Sequence, residues 1–508
     1  MNMAEKNLLS LQNGSDIRGI ACDGVAGERV NLTAEIANRI AQSFAHWLSK
    51  KTGKPLSSLR IGIGRDSRIT GENLARAVAS GLSFCGVSVT DCGMATTPAM
   101  FMSIVFEETH FDGSVMITAS HLPFNRNGLK FFDKDGGLEH EDITEILKGC
   151  ENLEEKKGEE VAKRFDLITL YANFLSEKIK TGIKNETSGI EHGRNAEKLL
   201  NHLKIVVDAG NGAGGFFVTK ILNELGADTT GSQFLEPDGL FPNHIPNPEN
   251  PQAMEAIQSA VLKNKADLGL IFDTDVDRMS AVFPDGTEVN RDAIIALVAA
   301  ILAPDYPNST IITDSVTSDR LTRFLQNELG LKHHCFKRGY KNVINECKRL
   351  NAHGTVSPLA METSGHGALK GNYYLDDGAF LAVKIIIALA NAKAQGKTLA
   401  SLIEKLEPLT EAEEVRYKIT AEDFGSYGDT VLREFKARAE KAGFTLPQSY
   451  EGVRISFNDE EKKGWLLLRK SLHDPVMPLN VEGEKPGSAK KILEEAEKLL
   501  RGFDKLSR

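Results

Sequence analysis

The 508-residue sequence lacks several features that would place it in a large protein class at once. No C-x-x-C pair occurs among its six cysteines. We therefore predict neither structural zinc nor a disulfide framework, but buried thiols in a reducing compartment. The net charge of −9 does not favour nucleic-acid binding, which needs a basic face. The longest apolar run, 293–303, falls far short of the ~20 residues that span a bilayer.

The N-terminal segment MNMAEKNLLSLQNGSDIRG also lacks the apolar core of a signal peptide. Together these absences predict a soluble, cytoplasmic protein with no membrane partner and no nucleic-acid partner. No feature of the sequence indicates the oligomeric state.

Short runs rich in Val and Ile alternate with amphipathic helical stretches along most of the chain. RIGIG (60–64) predicts a buried strand, ENLARAVASGLSF (72–84) the helix after it, and STIITDS (309–315) another strand. This alternation predicts layered α/β domains. The last hundred residues change to a strand-rich pattern that ends in the charged helix SAKKILEEAEKLLRGF. The length predicts three or four domains, and shifts in composition along the chain divide it into residues 1–165, 166–290, 291–408 and 409–508.

The segment TASHLPFNRNGLKFF (118–132) follows a predicted strand. Pro123 and the Asn-Gly pair after it predict a tight loop that presents Ser120 and His121. Lys130 lies in the strand that follows. A serine in such a loop often does no more than satisfy backbone groups, so this segment alone indicates a functional role only weakly.

In DTDVDR (273–278), three carboxylates at alternate positions follow the apolar run ADLGLIF. They would repel one another unless a cation joined them, and hard oxygen ligands suit Mg²⁺. A calcium loop does not fit, because Arg278 and Pro284 stand where that loop needs Gly and Glu. A phosphatase signature of the haloacid-dehalogenase type is an alternative, although Asp277 stands where that motif has Thr or Val.

A third motif, DAGNGAGG (208–215), matches G-x-G-x-x-G at Gly210, Gly212 and Gly215. Glu236 follows about twenty residues on, where a dinucleotide-binding fold places its ribose ligand. Gly-rich turns between a strand and a helix are common in α/β proteins, so the match is weak. It leaves a nicotinamide-dependent dehydrogenase as one alternative function.

Taken together, the motifs resemble the α-D-phosphohexomutase superfamily, and most closely its phosphomannomutase/phosphoglucomutase branch. The resemblance runs nearly end to end and keeps the order of the family's motifs. The matching segments are SDIRGI (15–20), GRDSR (64–68), TASHLPFNRNGLK (118–130), DAGNGAGG (208–215), PDGLFPNHIPNPE (237–249), DTDVDR (273–278), METSGH (361–366), DDG (376–378) and GWLLLRKSLHDP (464–475).

This resemblance implies an α/β fold of three related domains with a smaller C-terminal α+β domain like the TATA-binding-protein fold, around a central cleft. It implies a phosphohexose mutase, an isomerase that interconverts hexose 1-phosphate and hexose 6-phosphate of mannose, glucose or both. The reaction would pass through an enzyme phosphoserine, with hexose 1,6-bisphosphate as intermediate and activator. Mg²⁺ is the implied cofactor, and a phosphorylated hexose is the expected partner.

The resemblance also implies a role for each matching residue. The catalytic group would be Ser120, His121, Arg18, Lys130 and Arg278. The metal would be held by Asp273, Asp275, Asp277 and the phosphate on Ser120. Sugar and distal phosphate would be bound by Glu362, Ser364, His366, Lys337, Tyr340, Arg469 and Ser471. The proton acceptor stays open between Arg18, Lys130 and His121, and Arg65 and Arg68 are as readily explained by structural ion pairs.

Three departures from the family pattern matter. Leu122 stands where the family usually has Asn, and Met361 where it usually has Gly. The phosphate loop, usually R-x-S-x-T-E-P, is RKSLHDP here and has lost its Thr. We expect Arg469, Ser471 and backbone N–H groups to bind the distal phosphate, with His473 as an extra donor. A catalytically impaired homologue that only binds sugar phosphates is the alternative.

Overall fold

The computed structural model describes residues 8–158, 163–183, 198–459, 461–471 and 474–508. These residues form two compact units. Unit 1 comprises the chain up to residue 290 together with 364–401, and unit 2 comprises 291–363 together with 402–508. The chain therefore leaves unit 1, returns to it once, and ends in unit 2.

Most strands coincide with the Val- and Ile-rich runs, because β-branched side chains pack well on a pleated surface. In chain order they are β1 (Gln12–Asn13), β2 (Asp16–Ile20), β3 (Arg60–Arg65), β4 (Ser88–Met94), β5 (Gly113–Ile117), β6 (Arg126–Asp133), β7 (Gly136–Gly137), β8 (Lys163–Arg164), β9 (Ile205–Asp208), β10 (Leu268–Phe272), β11 (Met279–Val282), β12 (Glu288–Val289), β13 (Thr310–Thr313), β14 (Lys332–Cys335), β15 (Leu359–Met361), β16 (Gly367–Leu369), β17 (Leu375–Asp376), β18 (Glu411–Ile419), β19 (Val453–Phe457), β20 (Gly464–Leu468), β21 (Val476–Gly483) and β22 (Leu506–Ser507). Strands β5 and β10 are buried along their whole length.

Several helices begin at a residue whose side chain caps them. In chain order they are α1 (Ala34–Thr52), α2 (Gly71–Phe84), α3 (Thr97–Val105), α4 (His140–Gly149), α5 (Leu167–Gly182), α6 (Pro251–Asn264), α7 (Arg291–Leu302), α8 (Asp319–Arg323), α9 (Tyr340–Ala352), α10 (Gly378–Ala394), α11 (Phe424–Lys441) and α12 (Ser488–Leu500). At the start of α1 the Thr33 side chain accepts a hydrogen bond from the Ile36 N–H (3.2 Å). Gly53, in the left-handed conformation (φ 69°), ends that helix.

The larger sheet of unit 1 has the strand order β1-β2-β6-β5-β3-β4-β8, and β7 pairs with β6. Strand β3 runs parallel to β4 and β5, whereas β6 runs antiparallel to β5 and β2. The apolar side of α1 packs into the core of this layer beside Val115 and Phe131. Because β5 and β6 are neighbours, the serine loop 118–125 is a tight connection at the carboxyl end of β5.

The second sheet of unit 1 has the order β12-β11-β10-β9. Strands β9 and β10 are parallel, and β10 and β11 are antiparallel with Phe272 opposite Met279. Residues 273–278 are therefore a short turn between two buried strands. The hairpin of β16 and β17 also belongs to unit 1 and leads into α10, whose first turn is capped by the Asp377 side chain (2.8 Å to the Phe380 N–H).

Unit 2 contains a parallel arrangement and an antiparallel sheet. Strand β13 runs parallel to β14 and to β15, with Thr313 paired to Cys335 and to Met361. The antiparallel sheet has the order β19-β20-β21-β18-β22. Its apolar side packs against α11 and α12 around Phe435 and Ile492. This second part is the C-terminal α+β domain.

The fold class predicted from the sequence is confirmed, with α/β layers first and an α+β domain last. The helices predicted at 72–84 and in SAKKILEEAEKLLRGF are α2 and α12, and the strand predicted at 60–64 is β3. The four domain boundaries stay predictions. No helix in the described part of the chain has both the length and the apolar character that a membrane span requires.

The prediction of buried thiols is correct for only half of the cysteines. Cys92, Cys150 and Cys347 are buried, and all six residues are free thiols. Three others are partly exposed: Cys22, Cys85 and Cys335.

Candidate active site

Ser120 lies in the loop between β5 and β6 and is buried. Its backbone is in the left-handed region (φ 50°), which is uncommon for a residue with a Cβ and is often found at functional sites. The Ser120 N–H donates to Thr118 Oγ1 (2.9 Å). Its Oγ donates to Asp273 Oδ2 (2.9 Å) and accepts from Arg278 Nη2 (3.0 Å). The loop therefore presents the hydroxyl to one carboxylate and one guanidinium.

Arg68 anchors the serine loop. Its side chain is fully buried, and its Nε lies 3.5 Å from Asp66 Oδ2. The guanidinium donates to four main-chain carbonyl oxygens, those of the loop residues Ser120 (2.5 Å), Leu122 (2.5 Å) and Pro123 (2.8 Å) and that of Arg126 at the start of β6 (2.9 Å). A buried charge needs such partners, and here they fix the conformation of the loop. Arg68 is thus both an ion-pair member and a positioning residue for Ser120.

The three carboxylates of the turn between β10 and β11 are buried: Asp273, Asp275 and Asp277. Lys130, from β6, donates to Asp275 Oδ2 (3.0 Å) and to Asp277 Oδ2 (2.5 Å). The Thr97 hydroxyl donates to Asp275 Oδ2 (2.5 Å). The strand carrying Lys130 and the turn carrying the carboxylates are in this way tied together beside Ser120.

This carboxylate set fits a bound metal ion. One oxygen from each of the three aspartates lies within 4.8 Å of the others. The Oδ1 atoms of Asp275 and Asp277 are buried and accept no hydrogen bond from any described residue. Burial and the two neighbouring carboxylates raise the pKa of Asp273 well above its ordinary value. A divalent cation with a preference for hard oxygen ligands would satisfy the orphaned atoms and offset the repulsion.

Arg278 and His121 complete the surroundings of the Ser120 hydroxyl. Arg278 Nε lies 3.2 Å from Asp273 Oδ2, and its Nη2 also contacts His121 Nδ1. His121 Nδ1 is 3.3 Å from Ser120 Oγ. Burial and the positive charges of Arg278 and Arg18 lower the pKa of His121 to about 2. The imidazole is therefore neutral at physiological pH.

Arg18 and His366 add positive charge to the same site. The main chain of Arg18 pairs with β6, and its Nη2 donates to Asp16 Oδ2 (2.9 Å). His366 Nδ1 lies 3.8 Å from Asp277 Oδ1 and forms an ion pair with Asp376. Burial opposes protonation of this histidine, but the two carboxylates outweigh it and raise the pKa of His366 to about 9.

The segment METSGH reaches residues 273–278, the candidate metal-binding turn, through its last three residues, which belong to unit 1. The Met279 N–H donates to the Gly365 carbonyl (3.3 Å). Gly365 has φ 92°, and a Cβ there would lie 2.5 Å from the Met279 carbonyl oxygen. Ser364 beside it is buried. A glycine is needed at this position because both the conformation and the close approach exclude a side chain.

The Gly-rich segment 208–215 packs against the metal-binding turn. The Ala213 N–H donates to the Thr274 carbonyl (2.8 Å), and a Cβ on Gly212 would lie 2.6 Å from that same oxygen. Asp208 pairs with His244, whose Nε2 is 3.1 Å from each carboxylate oxygen. The segment continues into a π-helical turn rather than an α-helix. The glycines thus allow two loops to meet, which explains the motif without a dinucleotide.

In unit 2, Lys337 and Tyr340 flank the turn between β14 and α9. Lys337 is exposed, and Tyr340 is the first residue of the helix. The Gly339 N–H donates to Glu362 Oε1 (2.6 Å). Glu362, predicted to bind the sugar, is therefore held by the same turn.

Arg469 and Ser471 lie in the loop after β20. Arg469 Nε is 3.9 Å from Glu451 Oε1, is buried, and has no hydrogen-bond partner among the described residues. Glu451 also accepts from the Arg338 N–H (3.1 Å). Burial and the like charge of Arg338 lower the pKa of Arg469. Ser471 Oγ accepts from the Asp474 N–H (3.2 Å).

Lys470 does not replace the lost Thr. Lys470 Nζ donates to Asp429 Oδ1 (2.5 Å) and to the Gly425 carbonyl (3.3 Å), so its charge is directed to α11. Leu472 and His473 lie outside the described residues. The expected phosphate donor at His473 stays a prediction.

Sequence reasoning missed several residues that support these groups. Thr97 contacts the metal-binding turn from α3, and Glu451 joins Arg338 to Arg469. Asp314 Oδ2 accepts from Thr363 Oγ1 (3.0 Å), and burial together with Glu362 raises the pKa of Asp314 to about 8. Each contact joins residues far apart in the chain and follows no local motif, so only the fold reveals it.

Comparison with known proteins agrees with this geometry. Models of the family described as "Phosphoglucomutase/phosphomannomutase" match the chain in its alpha/beta/alpha domain I over residues 10–157, domain II over 185–286 and domain III over 290–409. Together the three models match well over half of the sequence.

The chain belongs to the phosphoglucomutase/phosphomannomutase family. This mutase is 31% identical over 481 residues to a phosphoglucomutase of Neisseria gonorrhoeae, with 94% of each chain covered. It is 27% identical over 466 residues to a phosphomannomutase/phosphoglucomutase of Pseudomonas putida, covering 91% of this chain and 92% of that one. A solved structure of a phosphoglucomutase/phosphomannomutase family protein from Burkholderia thailandensis matches with a TM-score of 0.78 at 25% identity, over 97% of both chains. The family, the fold class and the hexose-phosphate mutase activity expected from the sequence are confirmed.

Proposed function

We propose that this mutase moves a phosphoryl group between O1 and O6 of a hexose through a phosphorylated Ser120, with hexose 1,6-bisphosphate as the intermediate. The observation that carries the proposal is the position of Ser120 Oγ, bonded to both Asp273 and Arg278. Phosphoryl transfer needs in-line positioning and stabilisation of charge more than covalent help from the protein. The buried cations around Ser120 provide that stabilisation.

Asp273, Asp275 and Asp277 would hold Mg²⁺, and the phosphate on Ser120 would add an oxygen ligand. Bound there, Mg²⁺ supplies a Lewis acid that neutralises negative charge on phosphoryl oxygens. The buried, orphaned Oδ1 atoms of Asp275 and Asp277 support this assignment.

The side chains next to Ser120 take different parts in the transfer. Arg278 donates to Oγ and would stabilise the charge that Oγ carries as the leaving group. Neutral His121, whose Nδ1 is 3.3 Å from Oγ, would take part by hydrogen bonding. The acceptor for the proton of the sugar hydroxyl stays open between Arg18, Lys130 and His121.

The residues of unit 2 would recognise the part of the substrate that does not react. Glu362 would bind sugar hydroxyls, and Lys337 and Tyr340 would border the sugar. In unit 1, Ser364 and His366 are the residues proposed to bind sugar hydroxyls. Arg469 and Ser471 would bind the distal phosphate. Support comes from Arg469, which is half-buried beside the like-charged Arg338 and whose Nε has no hydrogen-bond partner among the described residues, a setting that favours a bound anion. Glucose and mannose phosphates are the proposed substrates.

A pair of serine variants tests the proposal. Ser120→Ala should abolish conversion of glucose 1-phosphate and mannose 1-phosphate in a coupled assay. Ser114→Ala is the matched control, because Ser114 is a buried serine on β5 whose hydroxyl bonds only a helix carbonyl (2.7 Å to Met100 O). The control should keep activity within a few-fold of the wild type. Wild-type turnover by Ser120→Ala would overturn the assignment.

A further inference from the structure

A second cluster of reactive side chains lies in unit 2, at the end of β14. Cys335 is partly exposed, and its Sγ lies 3.5 Å from His333 Nε2 on the same side of the strand. The hydroxyl of Thr317 is 3.3 Å from Sγ, and that of Thr313, on the paired strand, is 3.7 Å away. The sulfur therefore lies in a polar pocket with an imidazole within reach.

The surroundings of His333 allow both ring nitrogens to carry a proton. Nδ1 is 2.7 Å from Thr322 Oγ1, and Nε2 is 2.8 Å from Thr313 Oγ1. A hydroxyl oxygen can accept a hydrogen bond from a protonated nitrogen at each end. An imidazolium in this position would lie directly beside the Cys335 sulfur and stabilise a thiolate there.

The charges near Cys335 favour its thiolate form, as the position of His333 suggests. Burial alone would raise the pKa of the Cys335 thiol, but His333 and Arg454 outweigh it and lower the pKa to about 6. The opposite holds for four other cysteines. Burial raises the pKa of Cys22 and Cys85, and it raises the pKa of Cys92 and Cys150 to about 12.

We propose that Cys335 is an oxidation site, at which hydrogen peroxide converts the thiolate paired with His333 to a sulfenic acid. The thiolate sulfur attacks one peroxide oxygen, so an S–O bond forms while the O–O bond breaks. The sulfur loses two electrons and the peroxide gains them. The leaving hydroxide takes the proton of the His333 imidazolium and departs as water. A thiol can then condense with the sulfenic acid, releasing water and forming a reversible disulfide.

The site lies outside the serine and metal groups and needs neither of them. Cys335 is the last residue of β14, directly before the turn that carries Lys337 and holds Glu362. The modification would therefore occur at the base of a proposed recognition loop. Because mass spectrometry detects the modification directly, the proposal can be tested even if the residues proposed to bind substrate do not do so.

The test is alkylation of the folded, full-length protein by iodoacetamide at pH values from 5 to 9. The rate of alkylation is measured for each cysteine-containing peptide by mass spectrometry. Cys335 should react with a midpoint near pH 6, and Cys85 is the matched control. Cys85 is also partly exposed and has a histidine nearby (Sγ 4.0 Å from His46 Nε2), but its pKa is raised. At pH 7, His333→Gln should slow alkylation of Cys335 about tenfold, because most of the thiolate is lost. Alkylation of Cys85 should not change.

A second measurement follows the oxidation itself. After hydrogen peroxide at one equivalent per protein, a dimedone adduct should appear on the peptide of Cys335 first, and it should be absent in Cys335→Ser. The proposal is overturned if Cys335 alkylates with the pH profile of Cys85. It is also overturned if dimedone labels the partly exposed cysteines equally, or if His333→Gln leaves the rate at Cys335 unchanged. The wild-type pH profile decides the matter even if a variant fails to fold.

Discussion

Two groups of charged residues in this mutase differ in which polar atoms lack a hydrogen-bond partner among the described residues. The serine–metal cluster of unit 1 consists of Ser120, Lys130, Asp273, Asp275, Asp277 and Arg278. Its members are buried and bonded to one another, with orphaned oxygens only where a cation fits. The arginine cluster of unit 2 consists of Asp314, Arg338, Glu362, Glu451 and Arg469. There, burial and the like charge of Arg338 lower the pKa of Arg469, whose Nε has no hydrogen-bond partner among the described residues.

The difference indicates that the cluster of unit 1 acts mainly in phosphoryl transfer and the cluster of unit 2 mainly in substrate recognition. A site whose groups hold one another in place is preorganised, and such sites act mainly on the transition state. A site in which a guanidinium keeps a buried Nε without a hydrogen-bond partner among the described residues, as Arg469 does, gains most when an anionic ligand arrives. Variants of the first cluster should therefore lower kcat, and variants of the second should raise KM.

The largest effect is expected for the metal-binding turn. Asp275→Asn should lower kcat by about 10²–10³-fold, a loss typical of removing one electrostatic stabiliser. A chelator should inhibit the wild type, and added Mg²⁺ should restore it. The exposed Asp285→Asn serves as control and should behave as the wild type. Chelator-resistant turnover would contradict the metal assignment.

Arg68 tests whether the serine loop is positioned from a distance. Arg68→Lys keeps the charge but cannot reach four carbonyl oxygens, so kcat should fall about 100-fold, as a 1 Å displacement of a reacting group can cause. KM should stay within a few-fold of the wild type. The neighbouring Arg65 makes a single long hydrogen bond (3.3 Å to the Asp66 carbonyl), so Arg65→Gln is the control. A change in KM with an unaltered kcat would assign Arg68 to binding instead.

Arg469 tests the recognition side of the comparison. Arg469→Ala should raise KM for hexose phosphate at least about thirtyfold, because truncating a buried charged hydrogen bond costs about 2–5 kcal/mol. Its kcat should change less, and Ser120 should keep its phosphate. Lys470→Ala is the adjacent control, since Lys470 is bound to Asp429. An unchanged KM in Arg469→Ala would remove the loop from substrate binding.

The smallest effect concerns stability in unit 2. Burial and the charge of Asp292 raise the pKa of Glu482 from 4.5 to about 7, although the positive charge of Arg320 acts to lower it. The stabilising contribution of protonated Glu482 to the free energy of unfolding is therefore present below about pH 4.5 and lost as the pH rises through about 7. Glu482→Gln should raise the free energy of unfolding at pH 8 by about 1–2 kcal/mol and change it little at pH 5, as urea denaturation can measure.

Glu414 provides a control of opposite sign for that measurement. Although burial opposes it, hydrogen bonds from Arg416 and Asn480 lower the pKa of Glu414. Its contribution is present above its ordinary pKa and lost in acid. Glu414→Gln should therefore lower stability at pH 8. If both variants changed the free energy of unfolding equally at pH 8, the two glutamates would not affect stability with opposite sign, and this prediction would be wrong.

Sequence patterns could predict the fold and the centre of the site, but not its supporting contacts. Periodicity identified β3, α2 and α12, and the resemblance identified Ser120 and the aspartates that the structure brings together. The carbonyl contacts of Arg68 and the bridge made by Glu451 join distant segments, which local patterns do not encode. The G-x-G-x-x-G match misled because close approach of two loops demands glycine as much as a dinucleotide does.

Phosphopeptide mapping of the wild-type enzyme tests the central claim most directly. The protein is incubated with glucose 1,6-bisphosphate, digested and analysed by mass spectrometry. The account predicts one phosphate, on the peptide that contains Ser120, and its transfer to added glucose 1-phosphate. A phosphate on another residue, or active enzyme that carries none at Ser120, would contradict it.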